Sequence, residues 1–312
     1  MTRSLVTGGA GFIGSHLVTA LVERGDEVRV LDNLSTGTLG NLAHVDGKFE
    51  MVQGDLLDAD AVAAAAEGVD LVFHQAALAS VPRSVKDPLE THAACATGTV
   101  NVLNAARDAG VRRVVYAGSS SAYGNEPYSS KRETDLLSPL SPYAAAKLCG
   151  EMYCQAFHES YGLSTVVVRY FNVFGPRQDP NSEYSAVIPK FVVAMLAGKR
   201  PTVFGDGGQS RDFTYVENVV AGNLAAAEAE GVSGRVFNVA CGAQKTVLDL
   251  IGSINRVLGT EIEPKFAEPR AGDVRESLAD ISEARQCLGY EPTIGFDEGL
   301  RRSIAYYRSL AG

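Results

Sequence analysis

The 312-residue sequence lacks the features typical of a membrane protein, a nucleic-acid-binding protein or a metalloprotein. It has no apolar run of the roughly 18 residues that a membrane helix needs, and its N-terminal apolar stretch is too short for a signal peptide. Its 28 Lys and Arg against 37 Asp and Glu give a net charge of −9, which argues against non-specific nucleic-acid binding. The five histidines show no HxH or HxxxH spacing, so we predict no metal site.

Cysteine is scarce, and its pattern does not suggest disulfides. The chain has five cysteines, an odd number, and no CxxC pair. Secreted proteins that depend on disulfides usually carry paired cysteines, whereas cytosolic proteins keep their thiols reduced. We therefore predict a cytoplasmic protein with free thiols at Cys95, Cys149, Cys154, Cys241 and Cys287.

Apolar runs typical of strands alternate with helix-like segments through about residue 170. The strand-like runs are SLVTG, EVRVLD, DLVFHQAA, RRVVYAGSSS and STVVVRYFN. Strands that alternate with helices predict right-handed βαβ units and a parallel sheet. The predicted fold class is therefore α/β, a doubly wound parallel sheet of the Rossmann type.

The alternation ends near Asn172, where Gly, Pro and Asp become frequent, and we predict a smaller, loop-rich C-terminal lobe. The predicted division is a dinucleotide-binding domain over 1–172 and a lobe that mainly binds substrate over 173–312. The run GRVFNVACG, 234–242, resembles a buried strand and is expected to rejoin the first domain's sheet.

The segment VTGGAGFIGSHL carries a G-x-x-G-x-x-G motif between a predicted strand and a predicted helix. Glycines there permit a tight turn and a close approach of the backbone to a pyrophosphate. Asp32 ends the next strand, 18 residues after the last glycine, where it can accept hydrogen bonds from the ribose hydroxyls and would repel a 2′-phosphate. The motif therefore favours NAD over NADP, held by Gly8, Gly11, Phe12, Ile13, Gly14, Asp32 and Asn33.

Later strand ends are expected to complete the cofactor site, because ligands bind at the carboxyl ends of parallel strands. Asp55 and Leu56 in GDLLD are placed near the adenine, and Ala76 in HQAA is placed in the floor of the site. Ala76 alone is equally compatible with plain packing.

The segment SPYAAAK holds Tyr143 and Lys147 four residues apart, which puts both on one face of a helix. A nearby cation favours the phenolate, so Lys147 and a nicotinamide ring would both lower the pKa of Tyr143 from its usual value near ~10. A tyrosine tuned in this way suits a general base. The alternative is a Tyr/Lys pair on a solvent-facing helix.

Taken in order, the glycine motif, HQAA, a serine-rich strand end and Tyr-x-x-x-Lys resemble the extended short-chain dehydrogenase/reductase family. The segments RYFNVFGPRQDP, GDGGQSRDFTYVEN and RAGDVRESLAD resemble its nucleotide-sugar 4-epimerases, particularly those acting on UDP-N-acetylglucosamine. The resemblance covers essentially the whole chain. It implies an NAD-dependent enzyme that oxidises C4 of a sugar nucleotide to a transient ketone and reduces it again on the opposite face.

The same resemblance assigns the catalytic positions. Tyr143 is implied to be the base and, with Lys147, to contact the cofactor, where Lys147 holds the nicotinamide ribose. Ser119 in GSSSAYG is implied to bond the sugar oxygen. Related 4,6-dehydratases carry acidic residues where this chain has Ser120 and Ser121, and decarboxylases carry a glutamate nearby. The serines therefore favour epimerisation over elimination or decarboxylation.

The implied substrate site would hold a UDP-sugar. Arg211 and Arg270 are implied to meet the diphosphate, Asn172 a phosphate or the sugar, and Asp273 the uridine ribose. For each arginine the alternative is a surface or interlobe salt bridge.

Four positions bear on the choice of sugar. Ser277 stands where the family's glucose-only enzymes place tyrosine, Ala79 stands where some relatives place lysine, and Ala186 is implied to lie in the loop over the sugar. All three are small, which leaves room for an N-acetyl group. Gln178 matches a residue linked with acetamido sugars. We expect turnover of UDP-GlcNAc and UDP-GalNAc, with UDP-Glc and UDP-Gal also accepted. The alternative is a preference for plain glucose.

The resemblance also implies a homodimer formed through two helices near 88–108 and 142–160. Their apolar stripes, Val100 with Leu103 and Leu148 with Met152, are expected to face the partner. The alternative is that these stripes face the protein's own sheet.

A second alternative concerns function: a non-catalytic NAD-binding regulator of the same fold, although such proteins can lose the Tyr/Lys pair that this chain keeps.

Overall fold

One seven-stranded parallel sheet forms the centre of the molecule, of which the computed structural model describes residues 1–126, 130–180, 187–269 and 275–311. Its strands are β1 Arg3–Thr7, β2 Glu27–Asp32, β3 Phe49–Gln53, β4 Leu71–His74, β5 Arg113–Ser119, β6 Thr165–Tyr170 and, later in the chain, β11 Arg235–Val239. Their order across the sheet is β3-β2-β1-β4-β5-β6-β11. This order reverses between β1 and β4, as in a doubly wound fold, and the predicted fold class is confirmed.

Helices cover both faces of this sheet. The helices are α1 Phe12–Arg24, α2 Ala59–Ala66, α3 Val81–Lys86, α4 Pro88–His92, α5 Gly98–Asp108, α6 Pro142–Tyr161, α7 Val187–Leu196, α8 Val216–Glu228, α9 Val247–Leu258, α10 Ser282–Leu288 and α11 Phe296–Ala311. The two helices α1 and α8 pack on one face, while α2, α5 and α6 pack on the other. None of the described helices is both long and apolar enough to cross a bilayer.

The second lobe is built on short strands around its own apolar core. They are β7 Val173–Phe174, β8 Thr202–Phe204, β9 Ser210–Arg211, β10 Thr214–Tyr215, β12 Lys245–Thr246, β13 Lys265–Ala267 and β14 Glu276–Ser277. The core includes Phe174, Ile188 and Phe213 with residues of α9 and α11. Phe12 and Ile13 at the start of α1 pack against the same core, which joins the lobe to the sheet domain.

The strand predicted in 234–242 is β11, which pairs in parallel with β6 at the edge of the main sheet. The chain thus returns to the first sheet after the loops and short strands that follow Asn172. The domain boundary at residue 172 stays a prediction. Strand β3 at the opposite edge was not among the predicted strands. Its Phe49 and Met51 pack on the core at one face of the sheet, but none of its residues is fully buried.

The stripe predicted on α5 lies only partly at the surface. Leu103 is fully buried in the core between α5 and the sheet, so the prediction that it faces a partner is wrong. On α6, by contrast, Met152 is 45% exposed. Val81, Val85 and Leu89 on α3 and α4, which pack beside α6, are also exposed.

Candidate active site

The glycine turn after β1 is as tight as the sequence predicts. Gly8 has a φ of +69°, and a Cβ there would lie 2.6 Å from the Cα of Ala76 at the end of β4. A Cβ on Gly14 would lie 2.1 Å from the carbonyl oxygen of Gly8. Among the described residues, no side chain caps the first turn of α1, which begins after Gly11. Its N–H groups therefore suit a pyrophosphate, so the turn fits NAD.

Asp32 at the end of β2 holds this turn through hydrogen bonds to its carboxylate. Its Oδ2 accepts a hydrogen bond from the N–H of Ala10 at 3.0 Å, and its Oδ1 accepts one from Leu34 N–H at 2.8 Å. A carboxylate has two lone pairs on each oxygen, so both oxygens retain acceptor capacity for ribose hydroxyls. The carboxylate can therefore hold the loop and a ribose together.

Hydrogen bonds hold the residues predicted around the adenine, and one of these bonds joins two predicted residues. The amide of Asn33 donates to Asp55 Oδ2 at 2.8 Å, and the carbonyl of Leu56 accepts from Asn101 Nδ2 at 2.8 Å. Ala76 N–H donates to Thr7 Oγ1 at 3.4 Å. These contacts fix the strand ends beside the glycine turn, where an adenosine would lie.

Tyr143 and Lys147 lie on the first two turns of α6. The helix begins there because Pro142 occupies its first turn and Ser141 Oγ accepts from Ala144 N–H at 3.1 Å. Lys147 is 3% exposed, and its Nζ lies 4.2 Å from the centre of the Tyr116 ring on β5. Tyr116 O–H donates to the Lys147 carbonyl at 3.1 Å, so one tyrosine holds both ends of this lysine.

The pKa of Tyr143 is raised in the protein without ligands, so its lowering by Lys147 together with a nicotinamide ring stays a prediction for the complex with NAD. Burial of the phenol raises the pKa of Tyr143 to about 12, the neighbouring Cys95 adds to the rise, and a hydrogen bond with Ser119 opposes it. Burial also lowers the pKa of Lys147. Desolvation of the phenolate is therefore the largest influence on the pKa of Tyr143 in the protein without ligands.

Ser119 is the last residue of β5 and meets Tyr143 through that hydrogen bond. Its Oγ lies 2.8 Å from Ser121 Oγ and accepts from Ser121 N–H at 3.2 Å. Ser120 begins the 3₁₀ turn Ser120–Tyr123 that follows. The sheet edge therefore brings together the predicted serine, base and lysine.

Sequence reasoning did not single out His74, the last residue of β4. Its Nδ1 lies 2.7 Å from Thr7 Oγ1, and its Nε2 lies 2.9 Å from Thr99 Oγ1. Burial, with a contribution from the charge of Lys147, lowers the pKa of His74 to about 3. A neutral His74 therefore bridges the strand before the glycine turn and α5 beneath the site. The only signal was its place in HQAA.

A cavity of about 500 Å³ lies in the second lobe and reaches Asn172, which follows β6. Two predicted substrate residues, Asn172 and Arg211, line it. Arg211 on β9 is in register with Ser277 on β14, so those two are neighbours. The cavity walls also contain residues that sequence reasoning missed, among them Val187, Lys190, Phe191, Thr202, Phe204 and Gln209. The only sequence signals for these residues were the apolar pattern of the segment that forms α7 and the short β-prone run that forms β8.

The other predicted substrate residues are more scattered. Gln178 donates from Nε2 to Val173 O at 3.3 Å, and its Oε1 is buried without a hydrogen-bond partner among the described residues. Ala79 is exposed in the loop between β4 and α3. Ala186, Arg270 and Asp273 lie outside the described residues.

A parallel sheet with this glycine turn, a serine at the end of β5 and Tyr-x-x-x-Lys at the start of α6 defines a short-chain dehydrogenase/reductase. Residues 4–240 match the NAD dependent epimerase/dehydratase family, and the chain belongs to that family. The predicted cofactor, NAD, is thereby confirmed. Over the described residues, no cluster of three His, Cys, Asp or Glu could hold a metal ion.

Three relatives illustrate the similarity. A UDP-glucose 4-epimerase from Mycolicibacterium smegmatis is 41% identical over 98% of this chain and 99% of its own length. A structure of a UDP-N-acetylglucosamine 4-epimerase from Methanobrevibacter ruminantium M1 with UDP-N-acetylmuramic acid is 42% identical, with a TM-score of 0.95 over 99% of both chains. A UDP-glucose 4-epimerase from Thermotoga maritima with UDP-glucose is 37% identical, with a TM-score of 0.95 over 100% of both. The predicted class, a nucleotide-sugar epimerase, is confirmed.

Proposed function

We propose that this chain interconverts UDP-GlcNAc and UDP-GalNAc at C4, and that it also accepts UDP-Glc and UDP-Gal. One observation carries the reaction type: Ser119 at the end of β5 meets Tyr143 at the start of α6, and Lys147 lies one turn further along the same helix, packed on Tyr116. A site of this kind has a dinucleotide on one side and room for a sugar nucleotide on the other.

The reaction follows from the roles of these side chains. Bound NAD would supply the hydride acceptor and donor. Tyr143 takes the proton of the sugar 4-hydroxyl as C4 is oxidised and returns it after the 4-keto sugar has turned over. Ser119 holds the same sugar oxygen and passes the proton. Lys147, fixed by Tyr116, holds the nicotinamide ribose and supplies positive charge near the phenol.

For the nucleotide, we propose that Arg211 meets the diphosphate and Asn172 a phosphate or the sugar, because both line the cavity. Arg270 and Asp273 keep their predicted roles toward the diphosphate and the uridine ribose. The cofactor contacts proposed are those of the glycine turn, Asp32 and the strand ends.

The N-acetyl preference is supported by Gln178, Ser277 and the small Ala79 and Ala186. The Oε1 atom of Gln178 is a buried acceptor without a partner among the described residues. An acetamido N–H could satisfy it, and an unsatisfied buried acceptor costs about 1–3 kcal/mol. The relative from Methanobrevibacter ruminantium M1 holds an N-acetylated sugar nucleotide, which agrees with this proposal.

The product distinguishes this function from its alternatives. The purified protein is incubated with UDP-Glc, UDP-GlcNAc and their uronic acids, and the products are identified by NMR. We expect the C4 epimer of each hexose and no net change in NAD. A 6-deoxy-4-keto sugar would indicate a dehydratase and a pentose a decarboxylase. No turnover of any of them would favour a non-catalytic NAD-binding regulator.

Filling the pocket at Ser277 tests the choice of sugar. We expect Ser277→Tyr to lower kcat/KM for UDP-GlcNAc at least about 10-fold relative to UDP-Glc, because an added ring would take the space of the N-acetyl group. Steady-state rates with both sugars give the ratio. Ser277→Ala, which removes only the hydroxyl, is the matched control and should keep it. An unchanged ratio in Ser277→Tyr would place the N-acetyl group elsewhere.

We also propose a homodimer, formed through the exposed apolar residues of α3, α4 and α6. Val81, Val85, Leu89, Met152 and Tyr153 are each more than 40% exposed. Contiguous exposed apolar surface of this kind marks interaction sites. Sedimentation velocity at micromolar concentration should give a dimer, and Leu89→Lys should shift it toward monomer. A cytoplasmic location stays a prediction from the cysteine pattern.

A further inference from the structure

Arg177, in the loop that follows β7, has an unusual backbone conformation and is held by many contacts. Its φ is +65°, the left-handed region that residues other than glycine rarely adopt. Such a conformation is strained and persists where the surrounding contacts fix it. The contacts of this side chain therefore show what the strained loop holds.

The guanidinium of Arg177 reaches across to the cofactor domain. Nη1 donates to Ser15 O at 3.1 Å and Thr19 Oγ1 at 3.2 Å on α1, and to Asn41 O at 3.1 Å in the 3₁₀ helix Leu39–Val45. Nη2 lies 2.7 Å from His16 Nδ1. One side chain thus joins the loop of the second lobe to two elements of the first domain.

His16 completes this connection. Arginine can only donate, so His16 Nδ1 must accept, and the ring proton lies on Nε2. That Nε2 lies 3.0 Å from Pro176 O, the residue before Arg177. Burial and the charge of Arg177 lower the pKa of His16 to about 3. The ring is therefore neutral, and it can accept at Nδ1 while it donates at Nε2.

The 3₁₀ helix held by Arg177 also holds the NAD turn. Asn41 Nδ2 donates to Ala10 O at 2.9 Å, and Thr38 N–H donates to the same oxygen at 3.0 Å. The N–H of Ala10 in turn donates to Asp32. Contacts therefore run from the ribose-binding carboxylate through Ala10 and Asn41 to Arg177.

On its other side, the loop of Arg177 belongs to the substrate lobe. Tyr307 O–H on α11 donates to Gln178 O at 2.7 Å, so the residue after Arg177 is held by the C-terminal helix. Gln178 is the residue proposed to contact the acetamido group. The loop is thus fixed between the adenosine end of the cofactor site and the lobe that holds the sugar nucleotide.

We propose that Arg177 is a positioning residue that couples the two sites, so that NAD and the sugar nucleotide each favour the binding of the other. The coupling rests on the proposed function only for the identity of the sugar, since NAD and UDP are enough to measure it. Coupling between two sites is reciprocal and typically amounts to about 5–150-fold in affinity.

Arg177→Gly tests this coupling, because glycine keeps the left-handed backbone and removes only the side chain. UDP binding is measured by calorimetry on NAD-loaded and NAD-depleted protein. We expect the wild type to bind UDP at least about 5-fold more tightly when loaded, and the variant to bind it equally in both states. In the epimerase assay, KM should rise about 10-fold while kcat changes less than about 3-fold.

A second variant keeps the proposal testable if Arg177→Gly folds poorly. Asn41→Ala removes the contact with Ala10 but leaves the substrate lobe untouched. This variant should also bind UDP equally with and without NAD. Arg301→Ala, which changes an exposed arginine on α11, is the control and should keep the wild-type ratio of UDP affinities with and without NAD. Equal UDP affinity with and without NAD in the wild type would overturn the proposal, as would a ratio that survives in both variants. A product other than a C4 epimer would overturn only the proposed function.

Discussion

Tyr143→Phe is expected to reduce kcat by about 10²- to 10⁴-fold while the protein still binds NAD and UDP-sugar. The phenol is the proposed acceptor of the 4-hydroxyl proton, and general acid–base catalysis contributes a factor of this size. The phenyl ring stays, so packing at the start of α6 is retained. Epimer formation followed by NMR gives kcat, and the NAD content of the purified variant, with UDP calorimetry, reports on binding.

The chain offers a matched control on the same helix. Tyr161→Phe removes a hydroxyl from a tyrosine that is 56% exposed at the far end of α6, and kcat should stay at the wild-type value. If Tyr143→Phe epimerises UDP-Glc or UDP-GlcNAc at the wild-type rate, the proposed base is wrong. If it loses NAD as well, the predicted contact of Tyr143 with the cofactor accounts for part of the loss, and kcat is then measured with NAD added in excess.

The raised pKa of Tyr143 predicts that the proposed base depends on the cofactor. With a pKa of about 12, only about one molecule in 10⁴ would carry the phenolate at pH 8. Lys147 is itself buried, which lowers its pKa, and its ammonium packs on Tyr116. A bound nicotinamide ring would add positive charge near the phenol and favour the phenolate. The free protein should therefore be a poor base, and the loaded protein an active one.

Local sequence signals were enough for the elements that carry the chemistry. The limits of β2 and the start of α6 follow from EVRVLD and from the Ser-Pro before Tyr143, since alternation and capping act over a few residues. The tight turn at Gly14 was readable for the same reason. Each of these features depends on neighbours in the chain.

Features that depend on distant contacts were not readable from the sequence. The burial of Leu103 depends on how α5 packs on the sheet, and Arg177 meets Ser15 across 162 positions of sequence. The raised pKa of Tyr143 arises first from burial of the phenol and then from the neighbouring Cys95, and no spacing rule indicates either. Periodicity marks which face of a helix is apolar, but it does not say whether the chain's own core or a partner covers that face.

Glu151→Gln is expected to lower the free energy of unfolding by about 3–5 kcal/mol, the usual cost of breaking a buried ion pair on one side. Glu151 on α6 and Arg169 on β6 have side chains that are only 2% exposed. Arg169 Nε donates to Glu151 Oε2 at 3.0 Å, and its Nη2 bonds the other oxygen. The variant would leave the guanidinium buried without its counter-charge. Urea denaturation monitored by circular dichroism measures the change.

Two further variants separate the pair from a general effect of the substitution. Glu298→Gln, in an exposed cluster with Arg301 and Arg302, should leave the urea midpoint unchanged, because exposed ion pairs contribute little. The double variant Glu151→Leu, Arg169→Met should recover much of the loss, because it removes both buried charges together. A Glu151→Gln midpoint equal to that of Glu298→Gln would contradict the prediction.

Recovery in the double variant should nonetheless be incomplete, because Arg169 has a second partner. Its Nη1 donates to Tyr123 O–H at 2.7 Å, and that hydroxyl donates to Asn238 Oδ1 at 2.7 Å on β11. The ion pair therefore joins α6 and β6 to the 3₁₀ turn after Ser119 and to the last strand of the sheet. Without Arg169, Tyr123 keeps Asn238 as its acceptor but loses a charged donor worth about 1.5–3 kcal/mol. The part of the stability that the double variant fails to recover measures this second contact.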